Sequence, residues 1–408
     1  MSANLLRDTW ANLDSLELGI LLRARLQGHG QYDNRGPAKT QTLFLPLAGP
    51  ACRIQIDVRD GQVVDIVPGE AFDKVEWKRI SEEIDQLVSG GSSKVGREFS
   101  FSSFRVDGSW RGALSGVQIL PPPDHAPQTN AHAAQNPFIL EFPIKGHDLF
   151  EVTNHRRHRV HRDATLLLNI LLVGHISFQR SRSNQCWANV AANGEPPRIE
   201  WVQQWFYADI DKILIDSLSL PRDITLIEID SDVYYSDVAH DGRGLRVPAD
   251  LDQMICLYQN LSSPNRVKFD RAAFWMDMAH RQWNISTSTS FISLVTAVES
   301  LTERGAIHRH HCDECNTEVT HDAPGPTKIF RDFFELHAPG MALKQRRGAM
   351  YELRSALVHG NKLMQLDDDL TAVDDLIGWN EYDLQGELWE LTRAAIRSWL
   401  KNPSLEYG

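Results

Sequence analysis

Arg354 and His359 are the pair of residues in this chain whose types and spacing could do phosphate chemistry. They stand in the stretch Tyr351-Glu-Leu-Arg-Ser-Ala-Leu-Val-His-Gly-Asn361, which reads as the last turns of an amphipathic helix. Leu343, Met350, Leu353 and Leu357 recur at spacings of seven, three and four, which places them on one buried stripe. Gly360 follows His359 where a helix ends in the left-handed conformation. Arginine keeps its charge and presents a planar fork that matches phosphate. Histidine exchanges a proton near neutral pH. Five residues on a regular helix place the two side chains roughly 140° apart. They converge only where the helix end distorts or a second chain supplies the partner.

A second constellation lies in His308-Arg-His-His-Cys-Asp-Glu-Cys315. Cys312 and Cys315 have the Cys-x2-Cys spacing that lets two thiolates share one zinc at a tight turn. No second such pair exists, so His308, His310, His311 or His321 would complete a closed, structural site. The bland alternative is a reduced, His-rich surface loop. Two further clusters invite weaker readings. His155-Arg-Arg-His-Arg-Val-His-Arg162 could bind phosphates, or be a solvated loop paired with nearby acids. Asp230, Asp232, Asp237, His240 and Asp241 could hold a divalent metal, although acid-rich turns are common.

The elements around the pair read as helices. From Leu245 onward, one spans about 267–283, with Phe269, Ala272, Met276 and Ala279 on its buried face. A second starts after caps in Thr287-Ser-Thr-Ser290 and carries Phe291, Leu294, Val295 and Val298. A shorter one around 328–336, the motif helix from about Ala342, and a last one with Leu384, Leu388, Leu391, Ala395 and Trp399 complete a bundle. Charge across it is uneven. Residues 324–363 hold seven Lys or Arg against three Asp or Glu, and residues 364–408 hold three against ten. That contrast suits a phosphate-binding cleft or a helix face paired with an acidic tail.

Arg354-Ser-Ala-Leu-Val-His359 resembles the Arg-x4–6-His motif of HEPN domains, and its surroundings look like the ApeA-like subgroup. The resemblance covers roughly residues 245–401. It implies a helical bundle, a homodimer, and a composite site in which His359 is the acid/base and Arg354 clamps the phosphoryl oxygens. The implied reaction is metal-independent RNA cleavage by 2′-OH attack, leaving a 2′,3′-cyclic phosphate and a 5′-OH. Ser355 departs from the family's usual Asn, Asp or His after the arginine, and still can hydrogen-bond phosphate. Tyr351 could stack on a base or pack at an interface, Glu299 could hold Arg354 or be an ordinary exposed acid, and Asn361 adjoins the pair. The implied context is a regulated toxin or anti-phage effector acting on RNA, transfer RNA among the candidates. A phage-derived trigger would act at the N-terminal half. The alternatives are a silent HEPN module that binds RNA, a nucleotide or a partner protein, and a zinc-stabilised sensor whose N-terminal half does the main work.

The whole chain therefore reads as α+β and multidomain, a β-rich mixed N-terminal half before an all-α HEPN-type bundle. Its expected parts are 1–120, a linker or long loop at 121–137 rich in proline, a second β-rich part at 138–244, and the bundle at 245–408 with its His/Cys insertion at 305–325. Ile54–Val58 and Val63–Val67 alternate around Asp60-Gly61, a hairpin signal. A helix follows with Trp77, Ile80, Ile84 and Leu87 on one face. Strands are expected at 99–106, 110–120, 138–144, 164–178 and 223–230, and a helix at 199–218. With 408 residues and 42% apolar content, cores are ample. The net charge of −12 argues against a protein that coats nucleic acid non-specifically, without excluding a basic cleft. Five cysteines, mostly scattered, suggest a reducing compartment. The N-terminus has no signal-peptide layout and the longest apolar run is too short for a membrane span, so the expectation is cytoplasmic, with no membrane partner. No phosphate loop, dinucleotide fingerprint, nucleophile elbow, HExxH zinc helix or internal repeat occurs in the sequence.

Overall fold

A computed structural model describes residues 4–11, 13–26, 32–33, 39–45, 52–59, 62–69, 71–89, 91–122, 136–177, 185–190, 196, 198–203, 213–236, 244–302, 308–312, 317–321, 325–341, 344–368 and 376–403. The chain is mixed α/β, with antiparallel sheets and a helical C-terminal region. It divides into two units, one of residues 1–97, 142–161 and 212–218, the other of 98–141, 162–211 and 219–408. The expected border at 244–245 falls inside the second unit.

In the first unit, strands Tyr32–Asp33, Lys39–Phe44, Arg53–Arg59 and Gln62–Pro68 form an antiparallel sheet in that order. The hairpin expected at 54–67 is present, with Ile56 opposite Ile66; Asp60 and Gly61 lie outside the described residues. Beside the sheet in sequence stand α1 (Asp8–Ala11), α2 (Ser15–Arg25) and α3 (Lys74–Ser89). Trp77, Ile80 and Ile84 of α3 join Trp10, Leu18, Leu22, Ile54 and Ile66 in one core, as the helical spacing demands.

Where a loop and then a strand were expected, α4 runs from Phe150 to Leu171. In its first-unit part the basic run is engaged internally. His155 Nε2 lies 3.0 Å from Asp14 Oδ1, Arg159 Nη1 donates to Asp14 Oδ2 at 2.9 Å, and Arg156 pairs with Glu17. His161 is buried and stacks on Phe142, ring centroids 5.9 Å apart. That arrangement fits paired structural charges rather than a free phosphate patch. The apolar residues that follow, Leu166 to Leu172, are buried on nearly every side.

In the second unit, Gln118–Leu120 pairs with both Trp110–Arg111 and the 139–141 part of strand Pro137–Lys145. The helix expected over 199–218 is replaced by strand Arg198–Gln203, paired antiparallel with Gln185–Val190, and residues 204–212 lie outside the described residues. The strand expected at 223–230 shrinks to Glu228–Ile229, parallel to Val247–Pro248. Asp230 is the N-cap of the one-turn α5 (Ser231–Tyr234), accepting from the amides of Asp232 and Val233. Its carboxylate thus has a structural task; Asp237, His240 and Asp241 lie outside the described residues.

The remaining helices carry the candidate site. They are α6 (Leu251–Gln259), α7 (Ser263–Gln282), α8 (Thr287–Glu299), α9 (Pro326–His337), α10 (Lys344–Val358), α11 (Gln365–Asp368) and α12 (Leu376–Lys401). α8 is central and packs against α7, α9, α10 and α12. Phe291, Leu294, Val295 and Val298 of α8 are all buried, as are Leu388, Leu391, Ala395 and Trp399 of α12. Burying each of the larger of these side chains stabilises the fold by roughly 1.5–3 kcal/mol before entropy is counted. Among the described residues no helix is long and apolar enough to cross a membrane.

Candidate functional site

α10 ends at Val358 in the manner its sequence demands. Gly360 has φ +71°, its N–H donates to Leu357 O at 3.1 Å, and the Asn361 N–H donates to Ala356 O at 2.9 Å. These two bonds make the Schellman ending, which needs a residue free to adopt positive φ at Gly360. His359 is thereby the last residue before the reversal, and it is exposed, as are Gly360 and Asn361. Its N–H donates to Ser355 O at 3.1 Å, so the helix stays regular up to the histidine. The offset of roughly 140° from Arg354 is therefore retained. Among the described residues no hydrogen bond or ion pair joins Arg354 to His359. Ser355 is half-buried between them.

Arg354 is organised from α8. Its Nη2 donates to Glu299 Oε2 at 2.8 Å, and the Tyr351 hydroxyl donates to Glu299 Oε1 at 3.0 Å. One carboxylate thus bridges two residues a turn apart on α10. The Arg354 side chain is 22% exposed and Glu299 32%, so the pair is screened on one side only. Tyr351 is buried, its ring 5.3 Å from Phe330 and 5.6 Å from the Arg354 guanidinium carbon. Burial raises its hydroxyl pKa, and the Glu299 charge and hydrogen bond raise it further against the opposing pull of Arg354. Of the two openings for Tyr351, packing or stacking on a base, its ring against Phe330 and its hydroxyl on Glu299 favour packing.

The positive strip is also largely paired. Arg347 is almost fully buried, donating to Glu335 Oε2 at 2.6 Å and to Ala338 O at 3.2 Å. Arg346 pairs with Glu387, and Lys362 Nζ lies 2.5 Å from Glu381 Oε1, both acids on α12. The charge contrast seen in the sequence thus serves in part to fasten α10 and its following loop to the acidic last helix.

Asp367, which the sequence did not single out, holds the start of α8. It accepts from the amides of Thr287 and Ser288 at 2.9 and 2.7 Å and from the Ser286 hydroxyl at 2.9 Å. Burial pushes its carboxyl pKa up, but these donors outweigh burial and hold it below the usual range. Its place some eighty residues along the chain from Thr287 left no local signal in the sequence.

The His/Cys insertion contains an antiparallel hairpin, His308–Cys312 with Thr317–His321, in which His308 faces His321 and Cys312 faces Thr317 across the ladder. Cys315 lies outside the described residues, as do the side chains of Cys312, His308, His310, His311 and His321. On the backbone alone, His308 and His321 stand four ladder steps from the Cys312 end, roughly 13 Å at the rise of a strand. His310 stands two steps away. Among the described residues no group of three or more His, Cys, Asp or Glu converges as a metal site. No family model, curated protein or solved structure matches the chain.

Proposed function

We propose that the chain is a metal-independent endoribonuclease of HEPN type, acting as a homodimer with Arg354 and His359 from two copies at one site. The observation that carries this reading is the geometry of α10. A carboxylate on a neighbouring helix holds Arg354 at 2.8 Å, and the helix ending presents His359 to solvent on another face. Two copies facing each other would bring Arg354 of one toward His359 of the other. In the reaction, His359 takes the proton from the ribose 2′-OH, or supplies one to the leaving 5′ oxygen. The 2′ oxygen bonds to phosphorus, the bond to the 5′ oxygen breaks, and Arg354 balances charge on the phosphoryl oxygens. The products are a 2′,3′-cyclic phosphate and a 5′-OH. A regulated toxin or anti-phage effector, restrained by the rest of the chain until triggered, is the biological setting this chemistry fits. Zinc on Cys312 and Cys315, completed to four ligands from among His308, His310, His311 and His321, would be structural and would close the insertion.

A second reading, a non-cleaving module that binds RNA, a nucleotide or a protein, is favoured by one observation. Arg354 already has a counter-ion in Glu299, and its neighbours on α10 are paired as well. The test compares wild type with Arg354→Ala and His359→Ala on total and transfer RNA, with EDTA present. Cleavage by wild type alone, ending in cyclic phosphate, supports the nuclease. The same three proteins are then expressed during phage challenge, in case activation needs a trigger. Equal behaviour of all three in both assays leaves the binding module.

A further inference from the structure

A cavity of about 250 Å³ lies in the second unit, where the end of α4, α7 and α12 meet the turn at 103–104. None of its lining residues belongs to the Arg354–His359 site. One wall is aromatic. The His175 and His280 rings stack with centroids 3.8 Å apart and 16° between planes, and Trp389 lies 5.8 Å from His280. The acid in the wall is already committed. Asp277 is hydrogen-bonded to His175 Nε2 at 3.0 Å, to Asn169 Nδ2 at 3.2 Å and to Arg281 Nε at 2.6 Å.

The cation in the wall is not balanced in that way. Arg393 is 5% exposed; its Nε donates to Ile170 O at 3.3 Å, while its enclosed Nη2 has no hydrogen-bond partner among the described residues. Arg397 follows one turn later, over the Tyr235 ring at 3.7 Å. Burial, and after it the charge of Arg393, pushes the Arg397 pKa down to about 10, and burial pushes Arg393 down too. Glu390 on the same helix offsets part of this charge from a more exposed position. An enclosed donor without an acceptor is costly, and a ligand oxygen would relieve it.

We propose that this cavity binds a small organic anion, a planar ring bearing one carboxylate or phosphate. Arg393 takes the anionic group, and the His175–His280 pair with Trp389 takes the ring face. The volume lies just below the range of drug-sized sites, so it suits one ring and its anionic group rather than a stretch of RNA. The site does not depend on the nuclease reading.

The test titrates the full-length protein calorimetrically with nicotinate and with phenyl phosphate, using inorganic phosphate as the ring-free control. At least one ring-bearing probe is expected to bind at millimolar concentration or tighter, to raise the melting temperature, and to quench tryptophan fluorescence. The better probe tells carboxylate from phosphate. Val173→Phe fills the cavity while keeping the backbone bond from Val173 N–H to the Tyr234 hydroxyl, 2.9 Å in length. It should weaken binding at least about tenfold, and Arg393→Gln should do the same. Where Arg393→Gln fails to fold, Val173→Phe decides. Failure of both ring-bearing probes to bind at about 10 mM overturns the proposal. So does binding that Val173→Phe leaves unchanged, or inorganic phosphate binding as tightly as both ring-bearing probes.

Discussion

Glu299 holds two side chains of α10 at once, and the two contacts separate cleanly by mutation. Glu299→Gln removes the charge that orients Arg354, whereas Tyr351→Phe removes only the hydroxyl and leaves the Arg354–Glu299 pair at 2.8 Å. On the nuclease reading, Glu299→Gln lowers kcat about tenfold with KM little changed, and Tyr351→Phe changes kcat less than about threefold. The stability cost of either should stay near 1 kcal/mol, because the pair is partly solvated. Cleavage unaltered in Glu299→Gln would mean that Arg354 needs no positioning from α8. His161 offers a second residue-scale prediction. Burial, then the charges of Arg157 and His158, lowers its pKa from the ordinary 6.5 to about 3. Above pH 6.5 the imidazole is neutral in both folded and unfolded chains and contributes no pH dependence. As pH falls from 6.5 toward 3, the unfolded chain takes a proton that the folded one refuses, so stability is lost by up to about 1.4 kcal/mol per pH unit. Urea unfolding between pH 6.5 and 4.5 should show this slope in wild type and a shallower one in His161→Phe, whose ring keeps the stack on Phe142. Equal slopes would assign the acid sensitivity elsewhere.

At the scale of elements, the end of α10 turns on Gly360, and the start of α8 is held by its N-cap Ser286, which accepts from the Thr289 N–H, together with Asp367. Gly360→Ala puts a side chain at φ +71°, with open space around it, so the cost is backbone strain alone, about 1 kcal/mol. Asp367→Asn weakens a carboxylate that serves three donors and should cost about 1–2 kcal/mol, an effect that disappears once acid protonates Asp367 in wild type. Denaturant unfolding of both variants checks these values, and a neutral Asp367→Asn would show that Ser286 caps α8 unaided. The glycine was legible because a helix stop after a periodic run has few alternatives. The aspartate was not, because its partner is distant in sequence. The same contrast explains the elements that were misread. Residues 166–171 are buried nearly all round within α4, so they lack the one-sided period of an amphipathic helix and resemble a buried strand. Residues 198–203 became a strand because 185–190 pairs with them, Trp187 opposite Trp201, a partnership outside any local window. Helices α7 and α12 were legible because each has one buried stripe, and α8, buried on nearly all sides, because its large apolar residues keep helical spacing between small polar ones.

For the whole molecule, the linear division read from the sequence differs from the two units because residues 142–161 and 212–218 return to the first one. That return rests on pairings such as Leu214 with Gly96, which no stretch of sequence announces. The site has a comparable incompleteness, and it leads to a test of assembly. A helix regular to Val358 keeps Arg354 and His359 on different faces, and Glu299 draws Arg354 toward α8 within its own chain. One copy therefore does not gather both groups around one phosphate, whereas two copies meeting at the end of α10 would. Val358 is 46% exposed at that end, and Leu363 is 53% exposed shortly after it. Such apolar side chains suit an interface between copies. On the nuclease reading, Val358→Asp should therefore shift sedimentation from dimer to monomer and abolish RNA cleavage together. Its unfolding free energy should stay within about 0.5 kcal/mol of wild type, because the position is already exposed. Ile285→Asp, at a still more exposed apolar position after α7, should leave both assembly and cleavage intact. A wild-type protein that cleaves RNA as a monomer would require the end of α10 to unwind and bring His359 round to Arg354 within one chain.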